Sequence, residues 1–281
     1  MAERGQACRN APIIWLIEVG RPDKVSKLAI YSFDSRGVAS LGEVPAPLDS
    51  PGRPAVLLVH GQPGSGSFWG PLPRALHRIG QIYSYDRPGW GQSEAEVGGL
   101  GTNVEHLDKV VSTFGERAPV LVGYSYGAAV VLDWIAERAP VGVKALLVSP
   151  AANPLAYGPM DRLFEFELAG SAISLLASGT LRRALRDSAH ARIRYARSLL
   201  AESNTLLADL TRVRTSPCRD AAVAIVSGLA DRVVSPRSVA SLAKELNLDD
   251  VSWCADAGHL LVWTNPGAIA GALTKLIGGI V

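Results

Sequence analysis

The sequence predicts an α/β fold: a mostly parallel central sheet with helices on both faces. Three observations lead there. Several short apolar runs are continuous rather than alternating, the pattern of strands covered on both sides. Longer amphipathic segments separate those runs. The order is strand then helix, repeated, which builds a parallel sheet through crossover connections.

Taken in order, the polar start "MAERGQACRN" leads into "APIIWLI", an apolar run that stops at Glu18. That run is too short to span a bilayer and too interrupted for a signal peptide, so it is expected to be a buried strand. One or two additional strands are expected in the first 50 or so residues. "AVLLVHG" (55–61) is the first long strand, followed by "QIYSYDRPG" (81–89), "PVLVGYS" (119–125), "KALLVSP" (144–150), "AVAIVSGLAD" (222–231) and the more polar "DVSWCADAGH" (250–259). Helices are expected over 67–79, 102–114, 126–139, 235–246 and 265–277. Ser235 is a helix cap, with Pro236 at the first helical position.

Composition narrows the function classes. The chain has 281 residues, 48% hydrophobic and 19% charged, enough for a sizeable core and incompatible with disorder. A net charge of +2 calls for no nucleic-acid partner. No stretch reaches the roughly 18 uncharged apolar residues of a membrane span. Cys8, Cys218 and Cys254 are odd in number and lie in no metal-ligand spacing. The expectation is a cytoplasmic protein without disulfides or a bound metal.

Residues 151–217 interrupt the alternation with no convincing strand. Leu181, Leu185, Ile193, Ala196 and Leu200 fall near one helical face, while Arg182, Arg183, Arg186, Arg192, Arg194 and Arg197 mostly occupy the others. This predicts a helical insertion, or lid, over the sheet edge. The core would then comprise 1–150 and 218–281. The arginines are expected to form a solvated surface, the alternative being a cap that attracts anionic substrates.

The most informative stretch is "VLVGYSYGAAVV" (120–131), which passes from strand to helix with no loop. So sharp a turn forces its central residue toward positive φ. Gly123 and Gly127 remove the side chains that would collide, and Ser125 is left above the carboxyl end of the sheet beside a helix N-terminus. A serine hydroxyl needs a base. Of five histidines, His259 lies between the last strand and the last helix, at the same sheet edge. An imidazole acting there needs a carboxylate to orient it. Asp231 ends a strand at that edge, and Asp256 is the alternative acid. An oxyanion needs donors: the loop "HGQPGSGS" (60–67) exposes backbone N–H groups, so that Gln62 N–H and Tyr126 N–H can converge on one oxygen. No phosphate-binding loop pattern is present, which argues against nucleotide binding.

On "HGQPG" (60–64), "YDRPGWGQS" (85–93), "GYSYG" (123–127), "GLADRVV" (228–234) and "AGHL" (257–260), the chain resembles the α/β-hydrolase fold superfamily over residues about 55–277. Individually these motifs are weak; in this order they are specific. The resemblance implies Ser125 as nucleophile, Asp231 as acid and His259 as base, in the order of that superfamily. It implies an oxyanion hole from the backbones of Gln62 and Tyr126, a lid over 151–217, and structural roles for Asp86, Arg87 and Gly89. "HGQPG" and "DRPGWGQS" resemble the branch containing epoxide hydrolases, haloalkane dehalogenases and carbon–carbon bond hydrolases. The first two groups use an aspartate nucleophile, whereas serine stands here. Tyr126 also departs from the methionine that many serine members carry after the nucleophile.

The expected function is a cofactor-independent serine hydrolase, acting on an ester or related acyl bond of a small to medium organic molecule. A carbon–carbon hydrolase, amidase or acyltransferase would share these groups. A receptor of the same fold with vestigial catalysis is the non-enzymatic alternative.

Overall fold

The computed structural model describes residues 16–19, 26–41, 53–67, 69–138, 142–158, 189–215 and 221–278. The strands are β1 (Leu16–Val19), β2 (Ser26–Phe33), β3 (Ala39–Leu41), β4 (Ala55–Val59), β5 (Gln81–Tyr85), β6 (Val120–Tyr124), β7 (Lys144–Val148), β8 (Ala222–Gly228) and β9 (Ser252–Cys254). They form one sheet in the order β1-β2-β5-β4-β6-β7-β8-β9, with β3 against β2. From β5 through β4, β6, β7 and β8 to β9 every pairing is parallel; β1, β2 and β3 pair antiparallel. β4 and β6 are buried at every position, which is why their sequences read as unbroken apolar runs.

The helices are α1 (Leu72–Leu76), α2 (Leu100–Ser112), α3 (Tyr126–Arg138), α4 (Ala189–Arg212), α5 (Pro236–Glu245), α6 (Leu261–Thr264) and α7 (Pro266–Ile277). One buried cluster joins α2, α3 and α5 to the sheet, and the other joins α1, α6 and α7 to it. The sheet is thus covered on both faces, as expected. Ser235 caps α5, its hydroxyl accepting from Ser238 N–H at 3.2 Å with Pro236 following.

Of the apolar run "APIIWLI" only Leu16 and Ile17 are described, in β1, and β2 and β3 are the two additional strands. Several expectations change. Residues 67–79 yield only the five-residue α1, since Gly70 (φ +54°) and Pro71 hold the preceding chain in a turn. The last strand stops at Cys254 instead of running to 259, because the chain turns there and Ala257 N–H donates to Cys254 O.

The insertion differs most. Leu181, Leu185, Arg182, Arg183 and Arg186 lie outside the described residues, as do the side chains of Arg192 and Ile193. Cys8, Cys218 and Phe68 also lie outside them. Arg194 and Arg197 are exposed, as a solvated surface requires. Ala196 and Leu200 are only half-buried; the buried stripe of α4 is Ser198, Leu199, Glu202, Ser203, Leu206, Asp209 and Leu210. That stripe mixes charge with aliphatic surface, so hydropathy alone points to the wrong face.

Candidate active site

At the junction of β6 and α3, Ser125 has φ +53°, the left-handed conformation that the tight turn demands. A Cβ on Gly123 would lie 2.7 Å from Ala128 Cα, and one on Gly127 would lie 2.2 Å from Val59 O. The first glycine therefore lets α3 close onto its own strand. The second lets α3 pack on the neighbouring strand β4, a contact across the sheet that the local turn does not reveal. Ser125 N–H donates to Val148 O, which ties the turn to β7.

Asp231 follows β8 and His259 follows β9, and the two loops touch. Ala230 N–H donates to Ala257 O at 3.0 Å. The approach is close enough that a Cβ on Gly228 would sit 2.0 Å from Ala257 O. Asp231 Oδ1 accepts from the backbone N–H groups of Val233 and Val234, each at 2.9 Å. Its Oδ2 faces His259 Nδ1 at 2.8 Å, and His259 Nε2 lies 3.1 Å from Ser125 Oγ. Tyr124 supports the imidazole, with ring centroids 5.3 Å apart and its hydroxyl donating to His259 O at 3.1 Å. Asp256, the alternative acid, is exposed, and the carboxylate against His259 Nδ1 is that of Asp231. The arrangement provides a hydroxyl, a base against it and a buried carboxylate behind the base.

Gly61 lies against the serine: a Cβ there would be 2.7 Å from Ser125 Cβ. Gln62 and Tyr126, which follow Gly61 and Ser125 in the chain, both line a cavity of about 200 Å³. Its other described walls include Ala151, Ala156, Leu199, Leu206, Leu210 and Val234, with Ser125 and His259 on its floor. Trp69 belongs to the core and Trp263 packs against it; neither lines the cavity. No cluster of three or more His, Cys, Asp or Glu suited to a metal ion occurs among the described residues.

Behind the loop sits Arg87, fully buried. Its five guanidinium N–H groups meet five acceptors: His60 O (2.9 Å), Asn103 Oδ1 (2.9 Å), Gly61 O (3.0 Å) and both oxygens of Glu202 from α4. The guanidinium also lies 5.1 Å from the centre of the Tyr126 ring. The Tyr126 hydroxyl donates to Asp209 Oδ2, again on α4, at 2.9 Å. Gln62 Nε2 donates to Ser203 Oγ at 2.9 Å. Sequence reasoning missed Glu202, Ser203 and Asp209. Their only signal is that they recur at 202, 203 and 209, one face of a helix.

His60 is buried with both ring nitrogens engaged. Nε2 accepts from Arg87 N–H at 3.0 Å, which leaves Nδ1 to donate to Gly61 O at 2.8 Å. Burial first, and the Arg87 charge second, hold its pKa well below the ordinary 6.5, so the ring is neutral. Below pH 6.5 the unfolded chain binds a proton here that the native state does not. Stability is therefore lost as pH falls from 6.5 toward the depressed native value, by about 1.4 kcal/mol per pH unit from this group. Urea denaturation between about pH 6.5 and 5 should show that slope, and His60→Gln should lower it by the same amount. An equal slope in both proteins would refute the assignment.

The alpha/beta hydrolase family model matches residues 56–272, most of the chain. Among curated proteins, the chain is 31% identical over 106 residues to RutD of Klebsiella pneumoniae (strain 342), named provisionally as a carbamate hydrolase; the match takes in 37% of this chain and 40% of that protein. The chain thus spans about two fifths of the length of the curated relatives it matches. Among solved structures, a thermophilic esterase from Thermogutta terrifontis superposes with a TM-score of 0.65 at 17% identity, covering 94% of this chain and 97% of that one. The 2-hydroxy-6-oxo-6-phenylhexa-2,4-dienoate hydrolase of Rhodococcus sp. strain RHA1 gives 0.66 at 20% identity, covering 94% and 99%. At these identities the structures show a shared fold.

Proposed function

The chain belongs to the alpha/beta hydrolase family, and we propose that it is a serine hydrolase cleaving an ester or related acyl bond of a small to medium organic substrate. The observation that carries this reading is the unbroken hydrogen-bond chain from Ser125 Oγ through His259 to Asp231. Ser125 Oγ attacks the acyl carbon while His259 Nε2 takes its proton. Asp231 holds the imidazole in the tautomer that leaves Nε2 free to accept, and stabilises the imidazolium that forms. The oxyanion rests on Gln62 N–H and Tyr126 N–H. The leaving alcohol departs with the proton from His259, and a water activated by the same imidazole releases the acid from the acyl-enzyme. Residues 151–217 act as the lid, of which α4 forms part of the cavity wall.

The aliphatic lining suits an uncharged acyl group of modest size. A carbon–carbon hydrolase, amidase or acyltransferase would use the same groups. The first of these needs a cation for a substrate carboxylate, and none of the described lining residues carries one. The test is a panel of p-nitrophenyl esters from acetate to dodecanoate, with acid-quenched mass spectrometry. We expect acetate and butyrate to turn over faster than dodecanoate, with the acyl mass found on Ser125. Silence across the whole panel, with no adduct, would favour a ligand-binding role instead.

A further inference from the structure

Resting on the hydrolase reading above, we propose that the buried Glu202–Arg87 pair is a positioning device for the oxyanion hole, through which helix α4 sets the orientation of the peptide between Gly61 and Gln62. This peptide is trans, the cis bond lying at the next junction. In a planar trans peptide the carbonyl and the N–H point in opposite directions within one plane. Holding Gly61 O therefore aims Gln62 N–H.

Gly61 O is held twice, by Arg87 Nη2 at 3.0 Å and by His60 Nδ1 at 2.8 Å. Arg87 Nε holds the preceding carbonyl, His60 O, at 2.9 Å. On its far side the guanidinium meets both oxygens of Glu202. Both side chains are fully buried, so neither exchanges its partner for water. A cation on the carbonyl oxygen also withdraws electron density from the amide, which makes its N–H a stronger donor.

The same helix reaches both proposed donors by other routes, through Ser203 to the Gln62 side chain and through Asp209 to the Tyr126 hydroxyl. Its carboxyl end is fixed as well: Arg214 bonds Asp133 on α3 through its backbone N–H at 3.0 Å and its Nε at 2.9 Å. Helix α4 is thus anchored to the sheet's edge at the residues that would receive the oxyanion. Glu202 and Arg87 touch no substrate; they act through the peptide they hold.

The test compares the wild type, Glu202→Gln and the double variant Arg87→Met/Glu202→Met. The double variant removes both charges together and remains informative where a lone buried cation prevents folding. The probe is a short-chain alkyl fluorophosphonate. It reacts by forming a bond from Ser125 Oγ to phosphorus and expelling fluoride, with the serine proton passing to His259. We expect the maximal phosphonylation rate to fall about tenfold in each variant, less than the 10²–10³ that loss of an entire donor costs. The half-saturating probe concentration should change less than about twofold. In a Ser125→Cys background, alkylation of residue 125 by iodoacetamide develops no oxyanion, and the added Glu202→Gln should leave its rate unchanged. A full phosphonylation rate in a folded variant overturns the positioning role. So does an equal fall in alkylation, which would place the damage at the Ser125–His259 contact. Failure of the wild type to be labelled at Ser125 removes the hydrolase reading and this role with it, whereas labelled wild type with undiminished variants removes this role alone.

Discussion

In a Ser125→Ala variant, turnover of p-nitrophenyl butyrate is expected to fall by about 10⁴–10⁶-fold, while the thermal midpoint moves little. The size of the effect follows from the absence of a substitute. The cavity floor carries Ser125 and His259; among its described lining residues the other hydroxyl is the Tyr126 phenol, which is engaged with Asp209 on α4, and there is no thiol. An imidazole without the serine has only water to activate, and what remains is whatever the donors and the apolar walls supply by binding alone. The small effect on stability follows from the contacts. The Oγ atom is hydrogen-bonded to His259 Nε2, which at the cavity floor can turn to water instead. Alanine meets the same backbone demand at φ +53° as serine does. Steady-state kinetics with a thermal melt on the same preparation reads both quantities. Residual turnover above about one hundredth of wild type would mean that the nucleophile lies elsewhere, and the two glycines would then be explained by packing alone.

How far these features could be read from the chain depends on whether they are local. The turn at Ser125 is local: strand, glycine, serine, glycine and helix lie within a dozen residues, and each constrains the next. His259 and Asp231 are one step removed, since locating them needs only the rule that strand ends in a parallel sheet share an edge. Glu202 is different in kind. On a helix carrying many arginines a glutamate reads as a solvated charge, and nothing near it in sequence mentions Arg87, 115 positions away. The hydropathy stripe of α4 fails for the same reason: its buried face includes a glutamate, an aspartate and two serines whose partners come from α3 and from the loops after β4 and β5. Arg87 was expected to be structural by resemblance, and that expectation understates it. Its guanidinium links α4 to the carbonyls of residues 60 and 61. Only the folded chain puts those groups together.

Asp231→Asn should lower turnover up to about 10⁴-fold while Asp256→Asn leaves it near wild type. The asymmetry rests on which end of the new amide faces the imidazole. In the native site Asp231 Oδ1 accepts from two backbone N–H groups, those of Val233 and Val234. An asparagine must keep its oxygen at that position, because an NH₂ there would meet two donors with a third. The NH₂ is then forced to the position of Oδ2, against His259 Nδ1. A donor at that point requires Nδ1 to be unprotonated, which puts the ring proton on Nε2. His259 would then donate toward Ser125 Oγ where the proposed reaction needs it to accept, and the base is lost with the geometry intact. Asp256 is exposed and outside this network, so its substitution touches none of these bonds. The accompanying observation is structural: NMR of the imidazole nitrogens in Asp231→Asn should report the Nε2–H tautomer at neutral pH. Turnover near wild type in Asp231→Asn, or a dead Asp256→Asn, would assign the acid to the wrong residue and leave the two backbone donors on Asp231 as a loop-building feature only.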